Sequence, residues 1–212
     1  GFGGTLKNIG MGCGSRAGKM EMHNAGKPHV AQDTCVGCHA CEKICAHGAI
    51  SFQEKKASID HNRCVGCGRC VGVCPVDAVE TDCDESNDIL NCKIAEYTYA
   101  VVKDRPCFHI SIVNQVSPYC DCHGENDTAI IPDVGMFASF DPVALDQACA
   151  DACNAAPVIP GSLLDDRLHE HDHQDHHDHF TDVHPTTNWK SCLDHAEKLG
   201  IGTKEYELVK ID

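Results

Sequence analysis

Helical and alternating patterns of apolar residues follow one another along the chain. Residues 87–102 carry apolar side chains at helical spacing, which predicts one long helix. Leu90, Ile94, Tyr97 and Val101 are predicted to share one face of this helix. Residues 107–113 alternate instead, which predicts a strand. Phe108, Ile110 and Ile112 are predicted to lie on one side of this strand.

Clearer boundary signals follow further along the chain. Residues 136–140 form a second short alternating run, and Asp141-Pro142 then provides an N-cap and a proline suited to the first helical position. We expect this helix to reach about Asn154, and a last helix to run over 187–199 and end at Gly200. Strands alternating with helices predict an α/β fold, with α+β as the alternative.

One segment repeats at an offset of 29 residues. KPHVAQDTCVGCHACEKICAHGAISF, from Lys27, aligns with KASIDHNRCVGCGRCVGVCPVDAVET, from Lys56. Each copy predicts a strand, a cysteine-rich loop, a short helical turn and a second strand, so the copies should pack as pseudo-symmetric halves. We therefore predict a module over 27–83 inserted into an α/β domain formed by 1–26 and 84–212.

Each copy contains four cysteines at spacings of 2, 2 and 3 residues, typical of bacterial ferredoxins that carry two 4Fe-4S clusters. In that arrangement the fourth cysteine of each run binds the cluster of the other run. Cluster I is predicted to use Cys35, Cys38, Cys41 and Cys74. Cluster II is predicted to use Cys64, Cys67, Cys70 and Cys45.

The spacing suits a cubane because two-residue gaps wrap a loop around three of its corners. Gly37, Gly66 and Gly68 allow the positive-φ turns this needs, and backbone N–H groups can then point at the sulfurs. Paired Cys-x-x-Cys motifs also bind zinc, which is the structural alternative for these eight cysteines. Ala46 stands where such motifs usually have proline, and we expect a small effect.

Amino-acid composition restricts the class of protein, its compartment and its binding partners. The chain has 17 cysteines, and no apolar stretch is long enough to span a membrane. The first residues do not read as a signal peptide, which favours metal ligation in the cytoplasm over a disulfide scaffold. A net charge of −15 argues against nucleic-acid binding and suits recognition of a redox partner protein through opposite charge.

The chain as a whole resembles a family of uncharacterised iron–sulfur centre proteins of bacteria and archaea. The matching stretches are GTLKNIGMGCGSRAGKMEMH, AEYTYAVV, SPYCDCHGENDTAIIPDVGMFASFDPVALDQA and HPTTNWKSCLDHAEKLGIGTKEYEL. The resemblance implies a dicluster module within a larger domain of unknown function. It also implies that the chain corresponds to a C-terminal part, and it supplies no reaction.

A second site is predicted at Cys120, Cys122 and His123, where three metal-binding side chains lie within four residues. They could bind one additional zinc, nickel or iron ion with a remote cysteine, or remain thiols, or form a strained disulfide. A glycine-rich stretch at 10–20 lacks the glycine and the Ser/Thr of a phosphate-binding loop, which argues against nucleotide hydrolysis.

A histidine-rich loop at about 165–184 is polar and has no apolar face, so we expect it to be solvated. The histidines that could bind a divalent ion loosely include His171, His173, His176 and His177.

Three functions remain open. The first is electron transfer, with the two clusters relaying single electrons. The second is an oxidoreductase, or half of one, that uses the second site. The third is metal handling by the histidine-rich loop.

Overall fold

The computed structural model describes residues 3–23, 27–80, 87–120, 128–170 and 178–211. The chain folds into two compact units. The cysteine-rich unit spans Gly14–Leu90, and the larger unit combines Gly1–Cys13 with Asn91–Asp212. The predicted module boundaries at 27 and 83 remain predictions.

The cysteine-rich unit contains short elements arranged in two similar series. Its elements are α2 (Arg16–His23), β1 (His29–Val30), α3 (Ala40–Ile44), β2 (Ile50–Gln53), β3 (Lys56–Ile59), α4 (Arg69–Gly72) and β4 (Val79–Glu80). Helix α5 (Asn87–Val102) begins at the end of this unit and continues into the larger one.

The larger unit packs longer helices against a two-stranded sheet. Its other elements are α1 (Thr5–Gly10), β5 (His109–Val113), β6 (Gly135–Ser139), α6 (Pro142–Ala155), α7 (Leu163–Glu170), α8 (His179–Val183) and α9 (Lys190–Lys198). No helix in the described ranges is long and apolar enough to cross a membrane.

The predicted mixed α/β class is confirmed. Each sheet within the described residues has two antiparallel strands, and the pairs are β1–β4, β2–β3 and β5–β6. Antiparallel pairing corresponds to the α+β form that the sequence left open.

Helix α6 is the central element of the larger unit, and its N-terminus confirms the predicted cap. The Asp141 carboxylate accepts from the backbone N–H groups of Val143 at 2.8 Å and Ala144 at 3.0 Å, and Pro142 occupies the first turn. The core around α6 consists of Val113, Ile130, Ile131, Leu145, Cys149, Cys153, Leu164 and Val183.

Asp146 on α6 holds the N-terminus of α1. Its carboxylate oxygens accept from the N–H groups of Thr5 at 2.5 Å and Leu6 at 2.9 Å. A Cβ at Gly4 would lie 2.7 Å from this carboxyl group, so only glycine allows the close approach. Burial raises the pKa of Asp146 to about 6, against the lowering effect of these hydrogen bonds.

Helix α5 is confirmed at its predicted bounds, and of the four apolar residues predicted to share one face Ile94 is fully buried. The side chains it buries are Asn91, Ile94, Ala95 and Thr98. Asn91 donates to the Asn188 carbonyl at 2.7 Å, and Thr98 donates to the Leu6 carbonyl at 2.8 Å. These hydrogen bonds let two polar residues occupy positions that an apolar pattern cannot reveal.

The strand predicted over 107–113 is confirmed as β5, and the side on which the sequence places its large apolar residues is exposed. Phe108, Ile110 and Ile112 are between 56% and 64% exposed, whereas Val113 lies in the core. Helix α6 packs on the opposite face, where Ser111 hydrogen-bonds with Thr5 at 2.8 Å.

The last helix begins later than predicted. Residues 187–188 have no regular structure, residue 189 lies in a turn, and α9 starts at Lys190, although Gly200 ends it in the left-handed conformation as expected. Trp189 is buried at this start, and its indole N–H donates to the Asp178 carboxylate at 3.2 Å.

Candidate functional site

The two repeat copies interlock in the cysteine-rich unit. Copy one supplies β1, α3 and β2, and copy two supplies β3, α4 and β4 at positions 29 residues later. Each of the two antiparallel pairs, β1–β4 and β2–β3, joins one strand from each copy. The repeat in the sequence is therefore a pseudo-twofold arrangement of the backbone.

The cysteine loops of both copies use the same backbone conformation. Gly37 and Gly66 have φ of 70° and 73°, and His39 and Gly68, at the next pair of equivalent positions, have φ of 62° and 64°. A left-handed conformation at a histidine is uncommon, so the loop imposes it at His39. The His39 ring stacks on Phe52, with ring centroids 3.7 Å apart.

The first pocket encloses about 310 Å³, part of it open to solvent. The cysteines that line it are Cys35, Cys38, Cys41 and Cys74. Its other lining residues are mostly small or apolar, including Phe52, Ala57, Ala78 and Val79. The structure therefore brings together the four cysteines that the sequence groups as one set.

The second pocket encloses about 340 Å³ and is also partly open to solvent. The cysteines that line it are Cys45, Cys64, Cys67 and Cys70. Here too, three cysteines come from one copy and the fourth from the other. The pockets have similar volumes and equivalent donor sets, which follows from the repeat.

Backbone N–H groups point at several of these sulfurs. The Ala49 N–H donates to the Cys45 sulfur at 3.3 Å, and the equivalent Ala78 N–H donates to the Cys74 sulfur at 3.1 Å. The Gly66 N–H donates to the Cys64 sulfur at 3.4 Å. Such contacts stabilise negative charge on a thiolate.

Burial and backbone contacts act on the pKa values of these thiols in opposite directions. A hydrogen bond from the Ala57 backbone holds the pKa of Cys35 below its usual value. Burial raises the pKa of Cys41, and it raises the pKa of Cys70 to about 11. A bound cation would compensate for this burial, because metal ligation releases the thiol proton.

Within the described ranges, no group of three or more His, Cys, Asp or Glu side chains is arranged around a position for a single metal ion. In a tetrahedral zinc site thiolate sulfurs lie about 3.8 Å apart, since each is about 2.3 Å from the ion. A cubane places each thiolate on a different iron, so its ligand sulfurs lie farther apart. The two candidate occupants thus require different sulfur separations.

Of the predicted second site, only Cys120 lies within the described residues. The Lys7 ammonium donates to its sulfur at 2.6 Å. His184 hydrogen-bonds the Pro118 carbonyl at 2.6 Å, and its ring lies 5.5 Å from that of Tyr119. The candidate ligands outside the described residues are Cys122, His123, His171, His173, His176 and His177.

Two lysines that the sequence reasoning missed support the cysteine loops. Lys56 donates to the Cys35 carbonyl at 2.6 Å, and its repeat equivalent Lys27 donates to the His61 carbonyl. Both lie at the same position of the repeat, so the alignment of the copies could have singled them out. No disulfide joins any cysteine of the described residues.

Comparison with known proteins identifies a family for this chain but indicates no activity. The family described as Domain of unknown function (DUF362) matches residues 1–151 of the 212. No curated protein matches the chain significantly. Because the match covers well over half of the residues, the chain belongs to the DUF362 family.

Proposed function

We propose that the cysteine-rich unit holds two 4Fe-4S clusters and that the chain passes single electrons between redox partners. The observation that supports this is the crossed lining of the two pockets. A fourth thiol from the other copy is what the ferredoxin arrangement requires. A chance grouping of cysteines would not give two equivalent four-thiol pockets related by the repeat.

The donor set and its surroundings fit such a cofactor. Four thiols face each pocket, and the side chains around them are largely apolar, which limits the access of water. When bound, each cluster would supply a one-electron couple. The thiolates would hold it in place, and the N–H groups of Ala49, Gly66 and Ala78 would stabilise the charge that reduction adds.

The helical turns connect the two pockets directly. Cys41 lines the first pocket and Cys45 the second, and α3 joins them within four residues. Cys70 and Cys74 are related in the same way through α4. Four residues of helix rise by about 6 Å, so both connections are short enough to favour electron passage between the sites.

Metal analysis of protein purified without oxygen tests the proposal. We expect about eight irons and eight acid-labile sulfides per chain, because two four-iron clusters are assigned to it. X-ray absorption should show iron–sulfur shells and no zinc. A colourless, iron-free protein that contains zinc would contradict the proposal.

Serine substitutions test the crossing. Cys45→Ser and Cys67→Ser should alter the same paramagnetic signal of the reduced protein, although the two residues lie in different copies. Cys74→Ser and Cys38→Ser should alter the other signal. Cys107→Ser, outside both pockets, is the matched control and should retain all iron. If Cys45→Ser altered the same signal as Cys38→Ser, the assignment of Cys45 to the pocket of the other copy would be wrong.

An oxidoreductase remains the second candidate, and the observation that favours it is the contact between Lys7 and Cys120. An ammonium group beside a sulfur favours the thiolate, which is the reactive form of cysteine. Loss of a stoichiometric extra metal in a Cys120→Ser, Cys122→Ser variant would support a metal centre there. Retention of that metal would exclude these ligands. The metal-handling role and the cytoplasmic location stay predictions.

A further inference from the structure

The two pockets differ where the repeat copies differ. Arg69 lines the second pocket, and its repeat equivalent Ala40 lines the first. Arg63, next to Cys64, corresponds to Thr34. The charge near the two sets of thiols is therefore unequal, although the backbone around them is symmetric.

The difference extends to the whole of each cysteine run. Residues 33–45, which supply three cysteines to the first pocket, contain Asp33, Glu42 and Lys43, a net charge of −1. The equivalent residues 62–74 contain two arginines and no acidic residue, a net charge of +2.

The segments after the fourth cysteines continue the trend. Residues 75–80, which follow Cys74 of the first pocket, contain Asp77 and Glu80. Residues 46–51, which follow Cys45 of the second pocket, contain no Asp, Glu, Lys or Arg. The cysteine runs and the segments that follow them therefore both make the surroundings of the second pocket more positive than those of the first.

One feature of the two copies cancels, because the N–H groups of Ala49 and Ala78 make equivalent contacts. Two features act in the opposite direction. The Lys56 ammonium donates to the carbonyl of Cys35 in the first pocket, whereas its repeat equivalent Lys27 donates to the carbonyl of His61. The Ala57 N–H that bonds the Cys35 thiol corresponds to Pro28, which has no N–H.

These two features are outweighed by the charges of the runs and the segments that follow them, a net −3 for the first pocket and +2 for the second. These charges are nevertheless at the surface, where water and salt weaken their effect.

We infer that the cluster site of Cys45, Cys64, Cys67 and Cys70 has the higher reduction potential, and that Arg69 raises it. The inference rests on the proposed function. An electron that reaches the first pocket would then pass to the second, so that one site is oxidised and the other reduced by one electron. No bond forms or breaks. A positive charge near a cluster favours its reduced, more negative form.

Mirror substitutions at the repeat equivalents test this. With dithionite as reductant, redox titrations followed by electron paramagnetic resonance should give two potentials for the parent protein. Arg69→Ala should lower the higher potential, by roughly a three- to tenfold change in the ratio of reduced to oxidised sites. Tenfold corresponds to 59 mV for a one-electron couple. Ala40→Arg should raise the lower potential by a similar factor.

The controls separate the inference from the function it rests on. Arg69→Lys keeps a positive charge at the same position and should leave both potentials nearly unchanged. Raising the salt concentration should narrow the gap between the two potentials of the parent protein. If all variants contain eight irons but Arg69→Ala shifts neither potential, or shifts the lower one, the inference fails and the function stands. If the parent contains no clusters, the function itself fails.

Discussion

Replacing Asp146 by asparagine removes a buried charge while nearly preserving the shape of the side chain. Asp146 is 1% exposed, and it accepts hydrogen bonds from the first two backbone N–H groups of α1. Its pKa is raised to about 6, mainly because burial disfavours the charged form. An unfolded aspartate has a pKa of about 3.9. The folded state therefore holds the proton more tightly than the unfolded state.

The sign and size of the pH dependence follow from these two pKa values. The favourable contribution of the protonated group is complete below about pH 4 and is lost as the pH rises to about 6. The shift of about 2 units corresponds to about 3 kcal/mol, of which about 1.5 kcal/mol is lost by pH 5. Asp146→Asn cannot ionise, so this loss should disappear.

Urea unfolding followed by circular dichroism between pH 5 and pH 7 measures the effect. Asp146→Asn should be destabilised at pH 5 by about 1–3 kcal/mol, because its amide NH₂ faces a backbone N–H. The difference in free energy of unfolding between this variant and the parent should become smaller by about 1.3 kcal/mol between pH 5 and pH 7. Asp151→Asn, which removes an exposed carboxylate from the same helix, is the control. If the free energies of unfolding of Asp146→Asn and of the parent changed with pH in parallel, the raised pKa of Asp146 in the folded protein would be refuted.

Three further substitutions test separate parts of the molecule. Gly37→Ala should lower the free energy of unfolding of the cysteine-rich unit, measured by urea unfolding, by roughly 1–2 kcal/mol or more, since φ is 70° there and an added Cβ would meet a neighbouring carbonyl. Ile112→Ser should change the free energy of unfolding by less than about 0.5 kcal/mol, whereas Val113→Ala should cost about 1–3 kcal/mol; equal effects would contradict the assigned faces of β5. Lys7→Met should slow alkylation of Cys120, measured by peptide mass spectrometry, and an unchanged rate would show that the ammonium does not activate that thiol.

The sequence predicted the elements of the fold better than their buried faces. The period of apolar residues located α5 and β5, because that period reflects backbone geometry. It did not identify every buried residue of α5, since Asn91 and Thr98 are buried through hydrogen bonds to residues distant in sequence. A short strand with apolar residues on one face does not reveal which face a helix will cover.

The pocket cysteines were predictable because their spacing is local and repeated. Three cysteines of each set lie within seven residues, and the offset of 29 identifies the partner copy that contributes the fourth. The contact between Lys7 and Cys120 could not be found in this way, since 113 residues separate the two side chains. Only packing of α1 in the larger unit brings them together.

The distribution of charge changes how the acidity of this protein is understood. Residues 27–80 contain six Lys and Arg and six Asp and Glu, so their net charge is zero and the overall −15 comes from the rest of the chain. Recognition by opposite charge, expected from composition, would therefore act outside the cysteine-rich segment. Near the pockets the relevant charges are local, positive beside Arg63 and Arg69 and negative beside Asp77 and Glu80. A partner that approaches the second pocket would thus meet a surface opposite in sign to the protein as a whole.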